Sequence, residues 1–209
     1  MPQRSTFFDI EMEVAHVCDA LIGQAESGDF DAALELVDVF RKRGMEEPEG
    51  FAFLENAVSW CQRASELRPD SAVAAKHLEE LALEASQIAG SAMCGELPTG
   101  DCAGWAEKHI KYGIIAGNLG NADAMVSVGI AYRGGVGIEK DSEKAIFWFS
   151  KAAEMGNADA IICLNEVYHE LYGDDWEVYQ SSVMERYAQK GFQDAVDAVD
   201  ALSNMQDDT

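Results

Sequence analysis

The chain is poor in bases. Lysine and arginine number 15 against 38 aspartates and glutamates over 209 residues, a formal net charge of −23. A duplex phosphate backbone is repelled by such a chain as a whole, which argues against nucleic acid as a partner. Long apolar runs are missing too: no stretch reaches the length a membrane span needs, and Met1-Pro-Gln-Arg-Ser-Thr-Phe-Phe-Asp-Ile-Glu lacks the apolar segment of a signal peptide. The expectation is a cytoplasmic protein without a membrane span. Five cysteines, an odd number, do not make a complete disulfide framework and fit reduced thiols. Cys94 and Cys102 flank a Gly-Glu-Leu-Pro-Thr-Gly-Asp turn. Between antiparallel helices such a turn brings them within bridging range, so a disulfide and a pair of free thiols both remain open there.

Catalytic and metal-binding patterns are equally scarce. No Gly-x-Ser-x-Gly elbow occurs. Gly134-Gly-Val-Gly-Ile-Glu-Lys140 has a glutamate where a phosphate loop has the glycine before its lysine, and no strand leads into it. The four histidines at 16, 77, 109 and 169 are scattered. His16 and Cys18 do not point the same way on a helix, and Cys163 and His169 fall on nearly opposite faces. Asp174-Asp175 with Glu177 reads as a loop and an acidic helix start rather than a cation site. A hydrolase cleft around Cys94, Cys102 and His109 is the one enzyme reading that can be framed, and nothing else in the chain supports it. No catalytic residue, metal or cofactor is expected.

What the chain does contain is repetition. Gly120-Asn-Ala-Asp-Ala-Met returns as Gly156-Asn-Ala-Asp-Ala-Ile after 36 positions, and the shorter frame Gly-x-x-Asp-Ala occurs at Gly28, Gly120, Gly156 and Gly191. Periods of this size mark stacked supersecondary units. The glycine of each frame is placed to close one helix, and Asp31, Asp123, Asp159 and Asp194 fall in the first turn of the next, where a carboxylate meets the positive end of the helix dipole. Second helices repeat as well: Ala57, Trp60, Arg63, Ala64, Glu66 and Leu67 lie 88 residues before Ala145, Trp148, Lys151, Ala152, Glu154 and Met155. Small residues alternating with aromatics on one face suit close helix packing and place both tryptophans in the core.

Spacings of three and four predict an N-terminal helix over 7–26, followed by helix pairs at about 28–68, 70–118, 121–155 and 157–190. Residues 93–104 read as a loop. A capping helix over 191–203 and a frayed tail over 204–209 complete the chain. The fold class is all-α: a single α/α solenoid domain over 1–209, built of about four antiparallel helix pairs with degenerate outer repeats. The charge is uneven along it. Residues 101–156 carry seven acids and six bases, and residues 157–209 carry twelve acids and two bases.

The copy from Gly120 to Gly156 resembles the Sel-one-like repeat family, α/α solenoid repeats related to tetratricopeptide repeats. The matching residues are Ala124, Val128, Gly129 and Tyr132 in its first helix and Gly135-Val136-Gly137-Ile138 in its turn. In its second helix they are Asp141, Lys144, Ala145, Trp148, Lys151, Ala152, Ala153 and Gly156. After Gly156, Ala160, Leu164 and Tyr168 continue the pattern, while Asn165 stands where the repeat has its glycine. The resemblance implies a right-handed superhelix whose first helices line a concave, protein-binding surface, and it implies no reaction. Carried onto this chain, the inner face would consist of Asp31, Leu34, Asp38 and Arg41, then Asp123, Val126, Ile130 and Arg133, then Asp159, Ile162, Glu166 and His169.

The expected function is a non-catalytic interaction scaffold or adaptor holding a protein or peptide on that face, with basic and apolar side chains suiting its acids and isoleucines. An acidic immunity or inhibitor protein that neutralises a basic toxin or enzyme is the alternative.

Overall fold

Gly28, Gly120 and Gly156 have φ of 100°, 105° and 88°, a left-handed backbone that costs a residue bearing a Cβ about 1–2 kcal/mol. Each ends a helix in the same way. The N–H of Gly120 bonds to Gly117 O at 3.1 Å and that of Asn121 to Ala116 O at 3.1 Å. Gly28 and Asp29 repeat this on Ala25 and Gln24, and Gly156 and Asn157 on Ala153 and Ala152. The residue after each glycine then opens the next helix. Asn121 Oδ1 accepts from Ala124 N at 2.9 Å, Asn157 Oδ1 from Ala160 N at 3.0 Å, and Asp29 Oδ1 from Ala32 N at 3.2 Å. One helix therefore stops and another starts with no linker between them.

A computed structural model describes residues 18–46, 50–93 and 102–173, and every element among them is an α-helix. The helices are α1 (18–26), α2 (Phe30–Glu46), α3 (Gly50–Leu67), α4 (Ala72–Met93), α5 (Cys102–Asn118), α6 (Ala122–Gly134), α7 (Ser142–Glu154) and α8 (Ala158–Tyr172). The start of the 7–26 helix, the 174–190 half of the last pair, the 191–203 helix, the 204–209 tail and Cys94 lie outside the described residues. Cys102 opens α5, but its side chain also lies outside them. The chain divides into two units, Met1–Leu81 and Ala82–Thr209, with the boundary inside α4.

In the first unit, α2 packs on α3, and their core joins Leu21 and Ala25 of α1 to Phe30, Ala33 and Leu36 of α2, Ala64 of α3 and Ala74 of α4. The alanines let backbones come close. Trp60 only packs against the edge of this core, half-buried. The Arg68 guanidinium lies 4.1 Å over the Phe30 ring, a contact worth about 0.5–1 kcal/mol at an exposed site.

In the second unit, α5, α6, α7 and α8 each pack on the next, and α6 also meets α8. Neighbour-on-neighbour contact with first helices side by side is the α/α solenoid arrangement. The core holds Met125, Val128 and Tyr132 of α6, Trp148, Phe149 and Ala152 of α7, and Ile161, Leu164 and Val167 of α8. Trp148 is thus a core residue, as its alternation with small residues implies. Two glycines make the packing possible. A Cβ on Gly129 would stand 2.5–2.9 Å from the Phe149 ring, and one on Gly137, in the α6–α7 turn, 2.6–2.8 Å from Ala106 of α5. The same turn is fixed by Gly135 N–H to Ala131 O at 2.8 Å and Asp141 N–H to Tyr132 O at 2.9 Å. Asp141 then caps α7, its Oδ1 accepting from Lys144 N at 3.0 Å. The glycine loop is a helix–helix turn, with no strand before it.

Candidate functional site

The best-defined surface feature is the side of α6 that meets α8. Residues 33 and 37 positions apart come together there. Arg133 of α6 donates through Nε to Glu170 Oε1 at 2.9 Å, and its two terminal nitrogens pair with Glu166 and Glu170 of α8. The hydrogen bond from Arg133 is the main reason the Glu170 carboxyl lies below its usual range, and the same bond raises the guanidinium further. At the other end of the two helices Asn157 Nδ2 donates to Asp123 Oδ1 at 2.9 Å. These ties at both ends align α6 and α8 in parallel. Near the Arg133 end Ile130 is 51% exposed, and it lines a groove with Arg133, Gly134, Lys140 and Glu170.

Asp123, Ile130, Arg133 and Glu166 are therefore assembled on one surface, with Asp159 and His169 exposed on α8 and Ile162 half-buried against the core. Val126 needs correction. It is only 9% exposed and belongs to the core, because α8 lies close enough to α6 to cover that position. It offers no contact to a partner.

Asp31, Leu34, Asp38 and Arg41 belong to the first unit. Asp31 pairs with Arg68 at 4.0 Å, Arg41 pairs with Glu80 at 3.7 Å, Asp38 is exposed, and Leu34 packs on the core.

Sequence reasoning missed Glu170, Lys140 and Asn157. A signal for the first exists: Glu166 and Glu170 lie one helical turn apart and straddle the position one 36-residue period after Arg133, so a period-aware search for opposite charges finds them. Lys140 enters through the turn that Gly135 and Gly137 fold back, which spacing does not reveal. Asn157 was overshadowed by Asp159, although an asparagine just after a helix-ending glycine is a capping signal.

Chemistry elsewhere is subdued. Ser86 Oγ donates to His109 O at 3.0 Å, and His109 Nδ1 lies 2.9 Å from Ser86 O. Nδ1 also lies 3.1 Å from Ser86 Oγ, and the pair ties α4 to α5. Burial pushes the Cys61 thiol up to about 12 and that of Cys163 to about 11, leaving both poor nucleophiles at neutral pH. Among the described residues no cluster of three or more His, Cys, Asp or Glu is placed to hold a metal ion, and no helix is long and apolar enough to cross a membrane.

The stacked helices, with glycine stops, aspartate and asparagine caps and a glycine turn, define a helical-repeat protein. Residues 122–157, the best-formed unit of the chain, match the Sel1 repeat. Such repeats generally form interaction scaffolds for proteins rather than catalytic centres. Similar solved structures include a Sel1 repeat protein from Oxalobacter formigenes, with 24% identity, 83% of this chain and 63% of that one covered, and a TM-score of 0.41. Another is a protective antigen of uropathogenic Escherichia coli strains displaying an SLR fold, with 20% identity, 87% and 39% covered, and a TM-score of 0.38. The chain spans less than two thirds of the length of either. No curated protein matches it.

Proposed function

We propose that this protein is a non-catalytic scaffold that holds a protein partner on the α6/α8 face. The observation that carries the reading is Ile130, a large apolar side chain left 51% exposed beside the inter-helix ion pairs of Arg133 with Glu166 and Glu170. Exposed apolar positions framed by polar groups favour association, since covering them removes apolar area from water. The frame keeps the surface rigid, which lowers the ordering cost of binding.

The reading is tested by capture from the native source with the full chain and two variants of matched fold. Ile130→Asp is expected to abolish capture of the specific partner, and Phe147→Ser, on the exposed side of α7, to leave it intact. Equal capture by both variants would remove the face from consideration. Repeating the capture at high salt separates an apolar-anchored scaffold from an acidic inhibitor of a basic enzyme, whose binding would collapse as charges are screened.

A further inference from the structure

The two ends of the α6/α8 face differ in how their charges are balanced. At the C-terminal end, two bases, Arg133 and Lys140, stand with two acids, Glu166 and Glu170, three of them joined by direct ion pairs. At the N-terminal end, Asp123 and Asp159 are both exposed. Among the described residues Asp123 is held by the neutral amide of Asn157, and no base pairs with it or with Asp159. The helix N-termini offset part of this charge, at about half a positive charge each, which leaves the two carboxylates, among the described residues, with a net negative charge. Ile130 borders the C-terminal end, in the groove with Arg133, Lys140 and Glu170, seven residues along α6 from Asp123, or about 10 Å at the rise of an α-helix.

Resting on the reading just given, we infer that the segment held on this face carries a basic side chain and, about 10 Å along it, an apolar one. The base sits at Asp123 and Asp159, and the apolar group covers Ile130. A partner reversed end for end would bring its base to the balanced end, where Arg133 and Lys140 already supply positive charge, and leave both aspartates unmatched. Charge thus sets the direction in which the segment lies, and the isoleucine sets its register.

A labelled polyproline peptide with one arginine and, three residues on, one leucine presents both side chains on one side about 9 Å apart. Its binding to the full chain is read by fluorescence anisotropy, beside the same peptide with glutamate for arginine. The arginine peptide is expected to bind at least ten-fold more tightly, and Asp123→Asn with Asp159→Asn to erase the difference while circular dichroism stays unchanged. Equal affinities, binding of neither peptide, or a preference that survives the double variant would overturn the inference. If Ile130→Asp abolishes capture of the natural partner but the double asparagine variant captures it normally, the scaffold reading stands and the charge assignment falls.

Discussion

Asn157 holds two helices at once: its Nδ2 donates to Asp123 Oδ1 at 2.9 Å, and its Oδ1 accepts from Ala160 N at 3.0 Å. Loss of an N-cap costs about 1 kcal/mol, and the bond to Asp123, being to a charged group, adds about as much again. Asn157→Ala should therefore lower stability by about 2 kcal/mol in urea denaturation. Asn157→Asp keeps the cap but sets a second carboxylate against Asp123. It is expected to fall between wild type and alanine and to recover when Asp123 is also changed to Asn.

The Phe149 ring fills the space a methyl group on Gly129 would need. Overpacking a filled core costs about 1–3 kcal/mol, against a gain of about 1 kcal/mol from replacing a helical glycine by alanine. The steric cost wins because Phe149 is fully buried and has nowhere to move. Gly129→Ala should lower the urea midpoint. Combined with Phe149→Leu, it should cost less than the sum of the two single changes, and strict additivity in that cycle would show the ring can shift at no cost.

Gly120 and Gly137 both have positive φ, 105° and 70°, but their surroundings differ. A Cβ on Gly120 would meet nothing within 4 Å, whereas one on Gly137 would meet the Ala106 backbone. Alanine at 120 should cost about 1–2 kcal/mol for the backbone alone. At 137 about 1–3 kcal/mol of overpacking adds to that, because main chain cannot rotate away. Equal losses at the two sites would mean that the turn does not bear on α5.

Arg133 lowers the Glu170 carboxyl relative to the unfolded chain. A depressed folded value means stability that is present above the unfolded value, about 4.3 for glutamate, and is lost as pH falls through the folded one. Glu170→Gln should thus be less stable than wild type at neutral pH, with the gap closing below about pH 4. Both partners are partly exposed, so added salt should narrow the gap as well. A difference unchanged between pH 7 and pH 3 would contradict the ion pair's role.

The helix order was legible because Gly28, Gly120 and Gly156 act through local backbone geometry, which residue type reports directly. Boundaries away from these glycines are close as well: α4 is expected from 70 and starts at Ala72, and α5 is expected from 105 and starts at Cys102. The face was legible only in part. Ile130 and Arg133 follow from helical phase, but the burial of Val126 and the pairing of Arg133 with Glu170 depend on how closely one repeat settles on the next. Ala106 likewise gives no hint that a glycine 31 residues later rests on its backbone.

The shared glycine–asparagine junctions also bear on how the second unit comes apart. Asn121 gives its N–H to the last turn of α5 and its side chain to the first turn of α6, so the end of one helix cannot fray without uncapping the start of the next. Asn157 joins α7 to α8 in the same way. Opening is thereby forced to spread across junctions rather than remain within one helix. In native-state hydrogen exchange, the amides on either side of Gly120 and Gly156 should exchange together, as members of one cooperative unit.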